Sequence, residues 1–239
     1  MRTQTATAAT RRTWVDRAGA LSGAAYVVLI IVGNQITSGS QTDPHPSGRQ
    51  DLADFSRTPT VAENIGFAME VLGFLTFMFF IGWLVTSLRR RGGPAEWLAG
   101  VVGIAGATNL IVKLASVMPM MAGEMNHDKI SPTTARVLAD MNGAAFVVSF
   151  LPFGVFLLSA GLAILASGWM GRVAGWSAVV IGTAGVALPL ASRLDPVNTN
   201  PVPFMLGLLW VLVVGIRLGW RGPRAVRESL EPTPVPALS

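Results

Sequence analysis

Six long apolar stretches divide this chain, and short polar segments separate them. The stretches lie at about residues 18–36, 64–88, 97–118, 141–166, 173–191 and 202–220. A helix needs about 20 mostly apolar residues to cross the hydrocarbon core of a bilayer, and each stretch is close to that length. The pattern predicts an all-α, polytopic membrane protein with six transmembrane helices.

The polar segments predict tails and loops. Residues 1–17 are rich in Thr, Ala and Arg and predict a flexible cytoplasmic tail, and residues 221–239, which mix Arg with Pro, predict a second one. A signal peptide is the alternative for the first stretch, but the apolar run continues to Ile36 and its exit has no small-residue cleavage motif. Residues 48–56 can form a short surface helix, because Leu52 and Phe55 are three residues apart. In the loop at residues 119–140, Ser131 begins a possible helix that extends to Leu138.

The composition agrees with a membrane domain and excludes several kinds of site. Of 239 residues, 51% are hydrophobic and 13% charged, and the mean hydropathy is +0.52, so there is too little polar surface for a water-soluble globule. The absence of cysteine excludes disulfides, thiolate metal sites and cysteine nucleophiles. The pI of about 10.9 reflects arginines at helix ends, so we expect no nucleic-acid partner.

The distribution of basic residues predicts the orientation in the membrane. With the N-terminus inside, twelve basic residues lie in the inner segments and five in the outer ones. The positive-inside rule then places both termini in the cytoplasm. We predict a multi-pass protein of the cell membrane (the inner or plasma membrane). Six tryptophans near the inner boundary predict an aromatic belt: Trp14, Trp83, Trp97, Trp169, Trp176 and Trp220.

An internal repeat relates two pairs of helices. When the chain is shifted by 79 positions, residues 72–106 align with residues 151–185, and twelve of the aligned positions are identical. The aligned segments each contain parts of two predicted helices and the turn between them. We interpret this match as a duplication of helices two and three as helices four and five, in the same orientation. Gly73 aligns with Pro152, which predicts a bend at the same depth in both copies.

Two charged residues lie inside the second and third apolar stretches. Glu70 and Lys113 are each five or six residues to the outer side of the middle of their helix, so they lie at matched depth. A single charge costs about 2.5 to 3.5 kcal/mol at the centre of a membrane helix, and a pair in adjacent helices offsets much of that. We predict an ion pair or a shared proton between them.

Further polar residues gather around this pair and predict an outward-facing polar pocket. Asn109 lies one turn before Lys113, on the same face. The other candidates lie near the outer ends of helices one, four and five: Asn34, Asn142 and Arg193.

The repeat makes the pair asymmetric, which bears on its role. Glu70 aligns with Ser149 and Lys113 with Ser192, so only one of the two aligned hairpins carries these charges. Such an asymmetry favours a binding site away from the symmetry axis over a symmetric pore. The structural alternative is that Lys113 extends to the outer boundary and that Glu70 only fixes helix packing.

Methionines in the outer loop suggest one possible metal site. Thioether and imidazole groups are ligands for Cu(I), and the candidates are Met120, Met121, Met125 and His127. Methionine is more often a flexible apolar filler, so we expect no metal and no other cofactor. The sequence has no phosphate-binding loop, Ser-His-Asp set or zinc-protease motif, and we expect no enzymatic activity.

Residues 143–218 resemble a bacterial, actinobacterial-type family of six-helix integral membrane proteins, the family of domain of unknown function 4386. The resemblance rests on glycine and apolar patterns in helices four, five and six: Gly154-Val155-Phe156-Leu157-Leu158, Gly161, Gly171-Arg172-Val173-Ala174-Gly175-Trp176, and Leu208-Leu209-Trp210-Val211-Leu212-Val213-Val214-Gly215. Arg17-Ala18-Gly19 with Tyr26 also resembles the start of the family pattern. It implies a location in the bacterial inner membrane and transfers no activity.

These observations predict a non-enzymatic protein that binds a small amphipathic or lipid-like ligand, or a membrane partner, in the pocket around Glu70 and Lys113. A proton-coupled small transporter and an intramembrane enzyme are the alternatives. The expected partners are the lipid bilayer and either another membrane protein or a second copy of the chain.

Overall fold

The computed structural model describes residues 2–38, 47–194 and 199–221. These ranges contain helices and no strands: α1 (Arg2–Ser38), α2 (Gly48–Ser56), α3 (Val61–Arg89), α4 (Pro94–Ser116), α5 (Met118–Met125), α6 (Pro132–Val148), α7 (Phe150–Ser167), α8 (Arg172–Ala191) and α9 (Val202–Arg221). Six segments are long and apolar enough to span a membrane, namely α1, α3, α4 with α5, α6 with α7, α8 and α9. The chain is therefore an all-α, multi-pass membrane protein, as predicted.

Side-chain caps set the start of several helices. Thr60 accepts a hydrogen bond from the backbone N–H of Glu63, whose carboxylate accepts one from the Thr60 N–H in return. This capping box begins α3 three residues before the predicted boundary. Ser47 and Gln50 form the same arrangement at α2, which confirms the predicted surface helix.

Helix α1 begins at Arg2, so residues 2–17 are helical where a flexible tail was expected, and their place in the cytoplasm stays a prediction. Residues 2–18 contain neither Gly nor Pro, and their alanines and arginines are good helix formers. The C-terminal tail beyond residue 221, and residues 39–46 and 195–198 in the loops, lie outside the described residues.

Proline interrupts the third and fourth membrane segments. The break at Val117 comes two residues before Pro119, and the break at Ser149 three residues before Pro152. A proline lacks the N–H that would bond to the preceding turn and crowds the carbonyl of that turn, so a break before it is expected. The helix is therefore interrupted three residues before Pro152, where a bend was expected, whereas α3 passes Gly73 without a break.

The same breaks change two predicted boundaries. Met118–Met125 is helical rather than part of a loop. Ser131 caps α6, which continues to Val148, so the predicted short helix and the start of the fourth membrane helix are one element.

The six membrane segments form a ring in chain order. Each packs on the next, and α9 returns to pack on α1. At one end, Arg90 pairs with Asp16 at 3.6 Å and the guanidinium of Arg91 lies 5.1 Å from the ring centre of Trp169. We call this the arginine-rich end. At this end the connection between α3 and α4 contacts both the connection between α7 and α8 and the start of the membrane-spanning part of α1.

Aromatic side chains fill the interior of the helix bundle. The series starts with Trp169 and Trp83, whose ring centres are 6.1 Å apart, and continues along α3 to Phe77. From Phe77 it passes to α7 and α9, with successive ring centres 4.8 to 6.4 Å apart. Its members after Trp83 are Phe80, Phe77, Phe156, Phe153, Phe204, Phe150 and Phe146. We call this series the aromatic column.

The opposite end carries a small helical cap. Helix α2 packs on α5 and α6, and Phe55 is buried against Gly123 of α5. Asp51, 6% exposed, faces Arg136 at 3.8 Å, and Arg136 also contacts Asp140 at 2.9 Å. We call this end the capped end.

Helices α7 and α8 approach each other through glycine. A Cβ built on Gly182 would lie 2.4 Å from the backbone nitrogen of Leu158, and one built on Gly161 would lie 2.7 Å from the carbonyl oxygen of Gly175. Such backbone contact is the usual way that helices associate in lipid, where apolar side chains gain nothing by leaving the solvent.

Candidate ligand site

Lys113 is buried in the half of the bundle nearer the capped end. It is 7% exposed, and its Nζ lies 3.4 Å from the ring centre of Phe146 on α6. The rings of Phe204 and Phe150 follow at 5.0 and 6.0 Å. An ammonium group over an aromatic face is attracted by the negative charge density of the ring, and more strongly away from water. The side chain is enclosed by these rings rather than directed along the outer surface of the bundle.

The predicted ion pair between Glu70 and Lys113 is not formed. Among the residues described, no carboxylate lies within 4.0 Å of the Lys113 ammonium. The half-buried Glu70 instead accepts a hydrogen bond of 3.0 Å from the hydroxyl of Thr37 on α1. The two charges are close enough to interact through space, but each has a nearer neighbour.

Asn109 lies one turn below Lys113 and is 1% exposed. Its Oδ1 has no hydrogen-bond partner among the described residues. A buried polar atom without a partner is uncommon, because it loses the hydrogen bonds that water supplied. Asn109 and Lys113 thus place an unpaired acceptor and a donor on one face of α4, four residues apart.

The break between α4 and α5 links this face to α6. The side-chain amide of Asn142 donates a hydrogen bond of 2.7 Å to the carbonyl of Ser116, and the Ser116 hydroxyl donates to the Lys113 carbonyl. The amide of Asn142 thereby fixes α6, and with it Phe146, against the end of α4. Asn142 therefore positions the site.

The remaining predicted residues lie away from this cluster. Asn34 is exposed on α1, and Arg193 is exposed at the end of α8, where its φ is +55°. The residues predicted to line an outward-facing polar pocket therefore differ in exposure. The two central residues, Asn109 and Lys113, are enclosed.

The methionine candidates do not share a face. Met121 and Met125 are exposed on one side of α5, and Met120 is half-buried on another. His127 is exposed, and its Nδ1 lies 2.8 Å from the Glu124 carbonyl. A cavity of about 530 Å³ lies elsewhere, on the face of α8 from Arg172 to Ile181.

Sequence reasoning missed the aromatic part of the site. Phe146 and Phe150 are four residues apart, a spacing that places both on one side of a helix. Nothing in the local pattern connects either of them to Phe204, which approaches from the sixth membrane segment. Of the three rings, Phe204 and Phe150 are 5% and 3% exposed, whereas Phe146 is 38% exposed and forms part of the outer surface.

A second ionisable group is buried outside the membrane segments, in the cap. Burial raises the pKa of Asp51 above its ordinary value, although Arg136 opposes this effect, and Asp140 and Asp54 add to it. The cap is therefore a titratable element next to the candidate site.

Comparison of the chain with protein-family models, curated proteins and solved structures gave no match. The resemblance to the six-helix bacterial family and the duplication of the helical hairpin stay predictions.

Proposed function

We propose that this protein binds a small amphipathic ligand in the membrane, at the site formed by Lys113, Asn109 and the rings around them. The observation that supports this function is the pairing of a buried amine with a buried, unpartnered amide oxygen on one face of α4. Polar groups inside a membrane bundle are costly and are usually kept for a function. The rings offer apolar surface for the rest of the ligand.

The aromatic column supports binding over transport. A proton-coupled transporter needs access from both sides, and in this bundle the rings occupy the interior between the arginine-rich end and Lys113. Binding is also favoured over catalysis. The hydroxyls of Ser116 and Ser149 donate to the backbone carbonyls of Lys113 and Phe146 rather than to a general base.

We further propose that the protein lies in the plasma membrane with the arginine-rich end in the cytoplasm. The twelve-to-five distribution of basic residues supports this orientation. Exposed tryptophans at the same end, Trp97 and Trp220, are 65% and 82% exposed and suit a membrane interface. Single cysteines placed at residue 92 and at residue 128 would test it by labelling with an impermeant maleimide, since the chain has no cysteine of its own.

The binding function can be tested by identifying the lipids and small molecules that co-purify with the protein. The wild type should retain a molecule, detectable by mass spectrometry after extraction, that Lys113→Met loses. Methionine has nearly the length of lysine and suits an apolar interior, so the fold should be kept.

The matched control is Lys129→Met. Lys129 is the other lysine of the chain and is exposed. If the Lys113 variant keeps every molecule that the wild type and the Lys129 variant carry, and binds added amphiphiles as they do, the site has no binding role.

A further inference from the structure

We infer that the ligand of this site carries an anionic headgroup and enters from the bilayer past Phe146. This inference rests on the proposed binding function and adds the chemical class of the ligand and its route. It depends on three observations: the charge at Lys113, the donors and acceptors beside that charge, and the exposure of the three rings.

The charge determines the class. Lys113 is buried, and the described part of the chain places no carboxylate within 4.0 Å of it. A buried cation among aromatic rings, with no carboxylate in contact with it, attracts an anion and repels a second cation, because the low dielectric strengthens both effects. A carboxylate or phosphate headgroup would therefore be favoured over an ammonium headgroup of the same size.

Asn109 adds a hydrogen-bonding requirement. Its Oδ1 is buried without a partner, and its amide nitrogen can donate. A headgroup with several oxygens can accept from the amide nitrogen and the ammonium. A phosphate monoester that keeps one proton can also donate to Oδ1.

The exposure of the rings indicates the route. Phe150 and Phe204 are enclosed, while Phe146, directly over the Lys113 ammonium, is 38% exposed on the lipid-facing surface. At the capped end, α2 packs on α5 and α6. Rotation of the Phe146 side chain would open the shortest path from the bilayer to Lys113, and surface aromatic side chains rotate readily.

Four twelve-carbon amphiphiles separate headgroup charge from chain length: dodecanoate, dodecyl phosphate, dodecyltrimethylammonium and dodecanol. With the full chain in phosphatidylcholine nanodiscs, the measurement is the rise in melting temperature against the mole fraction of each amphiphile. We expect the two anions to saturate the wild type at mole fractions about tenfold lower than the cation or the alcohol. Lys113→Met should remove that difference. Asn109→Leu, which keeps the charge, should weaken anion binding while preserving the preference for anions.

The outcomes distinguish the two proposals. If the cation or the alcohol binds as well as the anions and still depends on Lys113 and Asn109, the anionic class is wrong and the binding function stands. If no amphiphile shows binding that depends on these residues, both are wrong. Nanodiscs that contain phosphatidylglycerol identify the source of the headgroup. If dodecanoate no longer raises the melting temperature in these nanodiscs, the anionic phospholipid occupies the site. If dodecanoate still raises it, the ligand is a single-chain amphiphile.

The route has its own test. Phe146→Ala should speed the transfer of bound dodecanoate to acceptor vesicles several-fold in a stopped-flow experiment. Phe79→Ala is the matched control, because Phe79 is a lipid-facing ring, 72% exposed, on α3. Equal transfer rates for wild type and Phe146→Ala would overturn the route past Phe146.

Discussion

The hairpins α3–α4 and α7–α8 share a sequence pattern but are packed differently. Gly161 and Gly182 of the second hairpin are in backbone contact across the helix pair. Their aligned residues in the first hairpin are Gly82, which has no atom within 4 Å of a built Cβ, and Gly103, which meets only the end of a valine side chain at 3.3 Å. The first hairpin also carries Glu70 and Lys113, where the second has serines.

This difference suggests a division of roles between the two hairpins. Close backbone packing leaves no room for a buried charge and its neighbours, whereas the looser hairpin tolerates them. The second hairpin is joined by close backbone packing, and the first presents the polar groups to rings supplied by α6, α7 and α9. The three predictions that follow test this division.

The largest effect is expected from alanine at the glycines of the second hairpin. Gly182→Ala places a methyl group 2.4 Å from a backbone nitrogen that cannot yield, so we expect a loss of about 1 to 3 kcal/mol in the free energy of unfolding. Gly161→Ala should behave similarly. The measurement is equilibrium unfolding in mixed micelles with increasing sodium dodecyl sulfate.

The aligned substitutions are the controls. Gly103→Ala and Gly82→Ala should change the unfolding free energy by less than about 1 kcal/mol, because a single side-chain methyl group at 3.3 Å or open space meets the new methyl group, and no backbone does. Equal losses in the two hairpins would mean that they are packed alike and would remove the basis of the comparison.

A smaller effect is expected from the coupling of Lys113 to its neighbours. A double-mutant cycle of Lys113→Met with Phe146→Leu should give a coupling energy of about 0.5 to 2 kcal/mol, because the ammonium lies 3.4 Å from that ring. The cycle of Lys113→Met with Glu70→Gln should give less, since the two side chains are not in contact. A larger coupling to Glu70 would restore the ion pair predicted from the sequence.

The smallest effect is expected in the cap, which rests on α5 next to the first hairpin and on α6 before the second. Because burial raises the pKa of Asp51, its contribution to cap stability is greatest below its ordinary value of about 4 and is lost as the pH rises through the raised value. Hydrogen exchange of residues 48–56, corrected for its intrinsic pH dependence, should therefore show better protection on the acidic side of that range.

Asp51→Asn should remove this pH dependence at a cost or gain of about 1 kcal/mol or less. Asp128→Asn, an exposed substitution in the turn between α5 and α6, is the control. Protection that increases with pH in the wild type would show that the ion pair with Arg136 outweighs the effect of burial.

Local features of the site were predictable from the sequence, and contacts between distant segments were not. The proximity of Asn109 and Lys113 follows from a separation of four residues on one helix. The matched depth of Glu70 and Lys113 follows from counting residues. Which way each side chain points depends on the rotation of α3 and α4 about their axes, and hydropathy does not determine that rotation when a helix is apolar on all sides.

The same reasoning explains the outcome for the helix ends. The capping residues Ser47 and Thr60 are recognisable in the sequence. Hydropathy alone predicts that α3 starts near residue 64, where the apolar stretch begins, whereas the cap at Thr60 starts the helix at Val61. The break at Ser149 was foreseeable from Pro152. Its consequence, that α6 turns Phe146 toward Lys113, depends on the hydrogen bond from Asn142 to Ser116, which joins residues 26 apart in the chain.

The aromatic column also determines the electrical behaviour of the bundle. The rings are packed in succession with their centres 4.8 to 6.4 Å apart, and a file of water molecules could form between the two ends only if successive rings separated, so we expect the bundle not to conduct ions. Most of a transmembrane voltage would then fall across the rings. The charge of Lys113, near one end of the column, would experience only a small part of that voltage.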